Sequence, residues 1–158
     1  MPLPTRVDLT TGVLSAAAVT VELAVAGLVE AGSAWAPFNA VAPLLLPPET
    51  AEARGWDPEV TPVGLAITVA GITGWAALHS CVFRTLVPEA DRSRTTAAGA
   101  GALSAMALLC FDYCLLPPSR RPRFARRLSP AAIAAKYAAL GLILTLRTAS
   151  LTASSRPE

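Results

Sequence analysis

Four runs of predominantly apolar residues, 9–31, 62–83, 95–116 and 130–149, constrain this chain more than any other feature. Each is long enough to cross a hydrocarbon core as a helix, which takes about 20 residues at a rise of about 1.5 Å each. A chain of this kind is expected to fold as an all-α integral membrane bundle of four transmembrane helices, because a helix satisfies its own backbone where no water is present. Hydrophobic residues make up 53% of the 158 and charged residues only 15%, too little polar surface for an ordinary soluble domain. One membrane domain over residues 1–158 accounts for the length.

Helix punctuation agrees with the hydropathy. Thr61-Pro62 and Ser129-Pro130 each offer a hydroxyl N-cap followed by proline at the first helical position. Pro117-Pro118 ends the third run, since consecutive prolines cannot continue the hydrogen-bond ladder. Arg6, the apolar stretch after it and Ala31-Gly32-Ser33-Ala34 have the outline of a signal peptide. The stretch exceeds a usual h-region and contains Glu22, so a retained first span is expected instead. In the longest loop, 32–61, Trp35 and Trp56 read as interface anchors. The apolar middle of that loop, 38–46, is expected to lie flat in the headgroup layer.

Loops 32–61 and 117–129 share one face and hold six arginines: Arg54, Arg120, Arg121, Arg123, Arg126 and Arg127. The opposite face also holds six: Arg6, Arg84, Arg92, Arg94, Arg147 and Arg156. The positive-inside rule therefore leaves the orientation open. The five arginines of the short loop suit anionic lipid headgroups or a phosphate. A solvated, topology-setting charge run explains them equally well.

A charge in hydrocarbon costs about 2.5–3.5 kcal/mol on insertion scales, so each one needs a partner or a purpose. Glu22, His79, Asp112 and Lys136 supply one candidate per span, and Glu30 closes the first. By helix rise Asp112 lies roughly 7 Å below Pro117, and Lys136 roughly 9 Å below Pro130. They occupy nearly one level on consecutive antiparallel helices, which predicts a buried Asp112–Lys136 pair with Tyr113 or Tyr137 as a further partner. Such a pair fixes helix register as readily as it serves chemistry. Glu22 is nearer the bilayer centre, reaches this cluster only diagonally and has no base at its own level. His79 lies toward the other face, as an interfacial hydrogen-bonding residue. Two four-residue stripes of small residues, Ala97-Gly101-Ala105 and Ala131-Ala135-Ala139, predict close helix contacts.

No nucleotide loop, zinc-helix motif or nucleophile elbow is present. His79 is the only histidine, and Cys81, Cys110 and Cys114 form no C-x-x-C pair, so neither a cofactor nor a metal is expected. The net charge of +2 is too small for a nucleic-acid surface.

Several stretches resemble a group of small bacterial four-helix inner-membrane proteins without an established activity. They are the acidic first helix leading to Ala36-Pro37-Phe38-Asn39-Ala40, the Gly74-Trp75-Ala76 turn and Asp112-Tyr113-x-x-x-Pro117, continuing through the arginine loop to Leu128-Ser129 and Tyr137. They span about two-thirds of the chain, which departs from the group in its Pro- and Arg-rich loop. The resemblance implies a four-helix inner-membrane architecture and an emphasis on Asp112. The expected role is a non-enzymatic accessory or structural membrane component. Its expected partners are membrane lipids, a second copy or another membrane protein. The alternative is a small proton-coupled carrier using Glu22, since small multidrug transporters also carry a lone membrane glutamate in the first of four helices. Their aromatic binding-site residues are not recognisable here. A lipid-modifying enzyme using the arginine loop has the least support.

Overall fold

Caps and prolines set the ends of the helices that the apolar runs form. A computed structural model describes residues 6–154, with side chains from 9 to 150. Helix α1 is Arg6–Ala31, the short α2 is Ala36–Asn39, α3 is Thr61–Leu86, α4 is Arg94–Cys110 and α5 is Pro130–Ser154. A single π turn, Phe111–Leu115, prolongs α4 before the two prolines stop it. The described residues contain no strand. Four helices are long and apolar enough to span a membrane, over Leu9–Ala31, Thr61–Leu86, Arg94–Leu115 and Pro130–Ser150. The expected four-span bundle is what forms, and the Gly74-Trp75-Ala76 turn lies inside the continuous helix α3.

Ser129 caps α5 as expected, its hydroxyl accepting the Ala132 N–H at 3.2 Å. Ser93 does the same for α4 through the Thr96 N–H at 3.1 Å. Thr61 does not cap α3. The Asp57 carboxylate accepts the Glu59 and Val60 N–H groups at 2.9 and 3.1 Å, closing a turn before the helix begins. That leaves the Thr61 hydroxyl to turn inward and donate to Asn39 at 2.8 Å.

Helix α1 packs along both α3 and α5, and α5 packs along α4, whereas α3 and α4 touch at few points. The order across the bundle is α3, α1, α5, α4, with a gap on the α3–α4 side. Val19, Leu23, Ile72, Leu140 and Leu144 fill the core. The α4 stripe Ala97-Gly101-Ala105 is buried as expected. A Cβ on Gly101 would sit 2.6 Å from the Gly141 carbonyl of α5, so the absence of a side chain there sets the helix separation. The α5 stripe is different: Ala131 and Ala135 are exposed, and α5 meets α4 through Gly141 and Thr145 instead. Alanine loses little by facing lipid, so a stripe of small residues does not by itself mark a contact face.

The first part of the apolar middle of loop 32–61 packs against the helices, while Leu45 stays exposed. Phe38, Asn39, Ala40 and Ala42 are each at most 1% exposed, and Phe38, Ala40 and Val41 belong to the core. The segment re-enters the end of the bundle. Its backbone can do so by bonding to itself, with Ala40 N–H donating to Ala36 O and Val41 N–H to Phe38 O at 3.1 and 3.0 Å. Gly64 of α3 lets the Phe38 carbonyl lie directly against its Cα, where a Cβ would collide. The arginine loop closes over this segment, its Arg123 N–H donating to Ala40 O at 2.9 Å. Both loops therefore occupy one end of the bundle. Single cysteines at Glu49 and Ser119, in a background lacking the native three, should react with an impermeant thiol reagent from the same side of a vesicle. Labelling from opposite sides would break this topology.

Candidate functional site

The polar centre lies where α4 ends. Asp112 stands in the π turn and is buried, and Lys136 and Tyr137 follow the second turn of α5, also buried. The Tyr137 hydroxyl donates to Asp112 Oδ2 at 2.7 Å, and Lys136 Nζ lies 3.4 Å from that same oxygen. Lys136 also reaches the Tyr137 oxygen at 3.3 Å. Its ammonium stands 4.5 Å from the Phe124 ring centroid and 4.3 Å from that of Tyr137, a cation–π arrangement. The expected Asp112–Lys136 pair is formed, and Tyr137 rather than Tyr113 is its third member.

The other residues of the expected cluster stand apart. The Tyr113 hydroxyl is buried with no hydrogen-bond partner. Glu30 is exposed, and its carboxylate accepts the Ser129 hydroxyl at 2.7 Å, holding the start of α5 to the end of α1. Glu22 is half-buried and its Oε2 has no hydrogen-bond partner. His79 is buried between helices, Nε2 lying 3.2 Å from the Thr148 hydroxyl of α5.

The guanidiniums of the arginine loop are engaged by the protein itself. Arg120 donates to the Pro43 and Leu44 carbonyls at 3.2 and 2.9 Å, and Arg123 to that of Pro48 at 3.1 Å. Arg127 reaches the Ala51 and Glu52 carbonyls at 3.0 and 2.8 Å, Arg126 pairs with the Glu52 carboxylate, and Arg121 donates to the Leu116 carbonyl at 2.9 Å. Arg120, Arg123, Arg126 and Arg127 tie the loop to residues 43–52, and Arg121 ties it back to the end of the π turn.

Two residues that the sequence did not assign to the cluster complete the site. Trp75 bridges the α3–α4 gap, its indole N–H 3.0 Å from the Ser104 hydroxyl. Phe124 is buried beneath Lys136. Beside them lies a cavity of about 160 Å³, whose wall includes both Asp112 and Lys136. The aromatic residues of the flanking segments were the signal in the sequence, and they did not say which way the rings would point.

Four apolar spans, a re-entrant segment and an internal charge cluster define a multi-pass, all-helical membrane protein. Comparison with protein-family models, curated proteins and solved structures gives no match.

Proposed function

We propose that this protein is a non-enzymatic accessory or structural component of a bacterial inner membrane, working among lipids beside another membrane protein or a second copy of itself. One observation carries this reading: the charged side chains buried in the described spans, Asp112 and Lys136, engage one another and the Tyr137 hydroxyl. Such a clasp fixes the register of α4 against α5 and asks for no substrate. The arginine loop acts in the same sense, as a clamp on residues 38–52. The resemblance of the Asp112-Tyr113-x-x-x-Pro117 stretch to small bacterial inner-membrane proteins supports the compartment. The test is co-purification from native membranes, where a stoichiometric membrane-protein partner, or a stable homo-oligomer, is expected. A protein recovered only as a monomer with lipid would overturn the reading.

The carrier remains the second reading because of Glu22, a half-buried carboxylate in mid-span with an unpartnered oxygen. On the accessory reading, Glu22→Gln should match the wild type in folded yield, and wild-type vesicles should move no lipophilic cation under a pH gradient. Gradient-driven flux that disappears in Glu22→Gln would decide for the carrier.

A further inference from the structure

The cavity beside Asp112 and Lys136 has the features of a ligand site. Its volume of about 160 Å³ is close to that of an apolar protein cavity, ~150 Å³, known to admit benzene. One six-membered ring fills it. Aromatic walls come from Trp75, Phe111 and Phe124, on α3, the π turn and the arginine loop. Gly71 on α3 also lines it, is exposed, and has nothing within 4 Å of where a Cβ would stand, so the cavity is entered from the lipid side past a residue that blocks nothing. Beyond the Trp75–Ser104 bridge a second apolar cavity of about 330 Å³ continues the α3–α4 gap, bordered by the exposed Leu78 and Leu103.

Charge decides the kind of head that fits. Lys136 is 4% exposed and carries three N–H donors, yet its two oxygen contacts, at 3.4 and 3.3 Å, exceed the roughly 2.7–2.9 Å of a good charge-assisted bond. The ammonium has donor capacity to spare at the cavity wall. A carboxylate or phosphate head would meet the Asp112 carboxylate in the same wall. A cationic head would meet Lys136. A neutral carbonyl accepts from the ammonium and is repelled by neither.

We propose that this cavity binds a neutral lipophilic carbonyl compound of the quinone type, its ring between Trp75, Phe111 and Phe124, a carbonyl on Lys136, and its tail in the α3–α4 gap. The site requires no partner protein, so it stands or falls separately from the accessory role.

The test uses the full chain in nanodiscs with Trp35→Phe and Trp56→Phe, leaving Trp75 as the sole tryptophan. A decyl-substituted benzoquinone should quench Trp75 fluorescence saturably. Gly71→Leu, which adds a side chain at the open mouth of the cavity, should weaken the apparent affinity by about tenfold or more, equivalent to roughly 1.4 kcal/mol. Gly99→Leu on α4, another open position that lines neither cavity, should leave it unchanged. Decylbenzene, which has the ring and tail without a carbonyl, should compete poorly. Quenching that rises linearly and equally in Gly71→Leu would reduce the effect to membrane partitioning and overturn the site. Equal competition by decylbenzene would overturn the carbonyl head.

Discussion

Asp112→Leu and Lys136→Met should each lower the stability of the detergent-solubilised protein sharply, and the double mutant should recover much of the loss. Breaking a buried pair strands one charge, which costs about 3–5 kcal/mol, whereas removing both charges also removes their desolvation penalty and is often nearly neutral. The two single mutants differ in what else they disturb. Lys136→Met also gives up the contacts with the Phe124 and Tyr137 rings, each worth about 0.5–2 kcal/mol. Asp112→Leu deprives the Tyr137 hydroxyl of its acceptor at 2.7 Å, and a buried unsatisfied hydroxyl costs about 1–3 kcal/mol. That second loss persists in the Asp112→Leu/Lys136→Met double mutant. Adding Tyr137→Phe should remove it, so the triple mutant should be more stable than the double, and the double more stable than either single. Thermal unfolding followed by circular dichroism, with the monodisperse fraction on gel filtration, reads this order. Additive losses would mean that the three groups are not coupled.

The level of this cluster was legible because helix rise converts sequence distance into depth once prolines mark the helix ends. Pro117 and Pro130 put Asp112 and Lys136 on a common scale of depth, counted from the same face of the membrane. The choice between Tyr113 and Tyr137 was not legible. The π turn Phe111–Leu115 breaks the 3.6-residue period on which facing depends, and it leaves the Tyr113 hydroxyl without a partner. Glu30 and Ser129 are far apart in sequence, so their pairing could be read only from the packed bundle.

The loops hid more than the helices did. An apolar stretch such as 38–46 has the same composition whether it lies in a headgroup layer or plugs a bundle. Its backbone alone cannot decide, because α2 and the turn after it satisfy their own N–H groups in either place. The arginines were legible as charge and as a shared face with loop 32–61. Their acceptors were not, since Pro43, Leu44, Pro48 and Ala51 contribute backbone carbonyls, which every residue has. The same holds for Thr61, whose capping role depended on whether some other group, here Asp57, had already closed the turn. Spans are written in composition; the partners of polar groups are written in tertiary geometry.

Asn39 was the one polar residue in that apolar stretch, and replacing it should release the re-entrant segment. Its side chain is fully buried. The amide nitrogen donates to the Ala53 and Gly55 carbonyls at 3.0 and 2.9 Å, and the amide oxygen accepts the Thr61 hydroxyl at 2.8 Å. One residue thus joins the re-entrant segment to the rest of its loop and to the start of α3. Asn39→Leu keeps the volume and leaves two carbonyls and a hydroxyl without these bonds. The Thr61 hydroxyl is buried and the two carbonyls are part-buried, so at about 1–3 kcal/mol for a buried group left unsatisfied, a loss of roughly 2–3 kcal/mol is expected. Asn39→Asp should be at least as damaging, because it keeps the acceptor for Thr61 and aims carboxylate oxygen at two carbonyls. The loss should also be local. A cysteine at Ala51, which is 1% exposed in the native fold, should become reactive to a water-soluble thiol reagent in either variant, at temperatures where circular dichroism still reports intact helices. Arg120 and Arg123 also hold the segment, through the Pro43, Leu44 and Pro48 carbonyls. If they and the apolar contacts suffice, the Ala51→Cys thiol will stay protected and the midpoint will not move. That result would remove Asn39 from the residues that hold this segment in place.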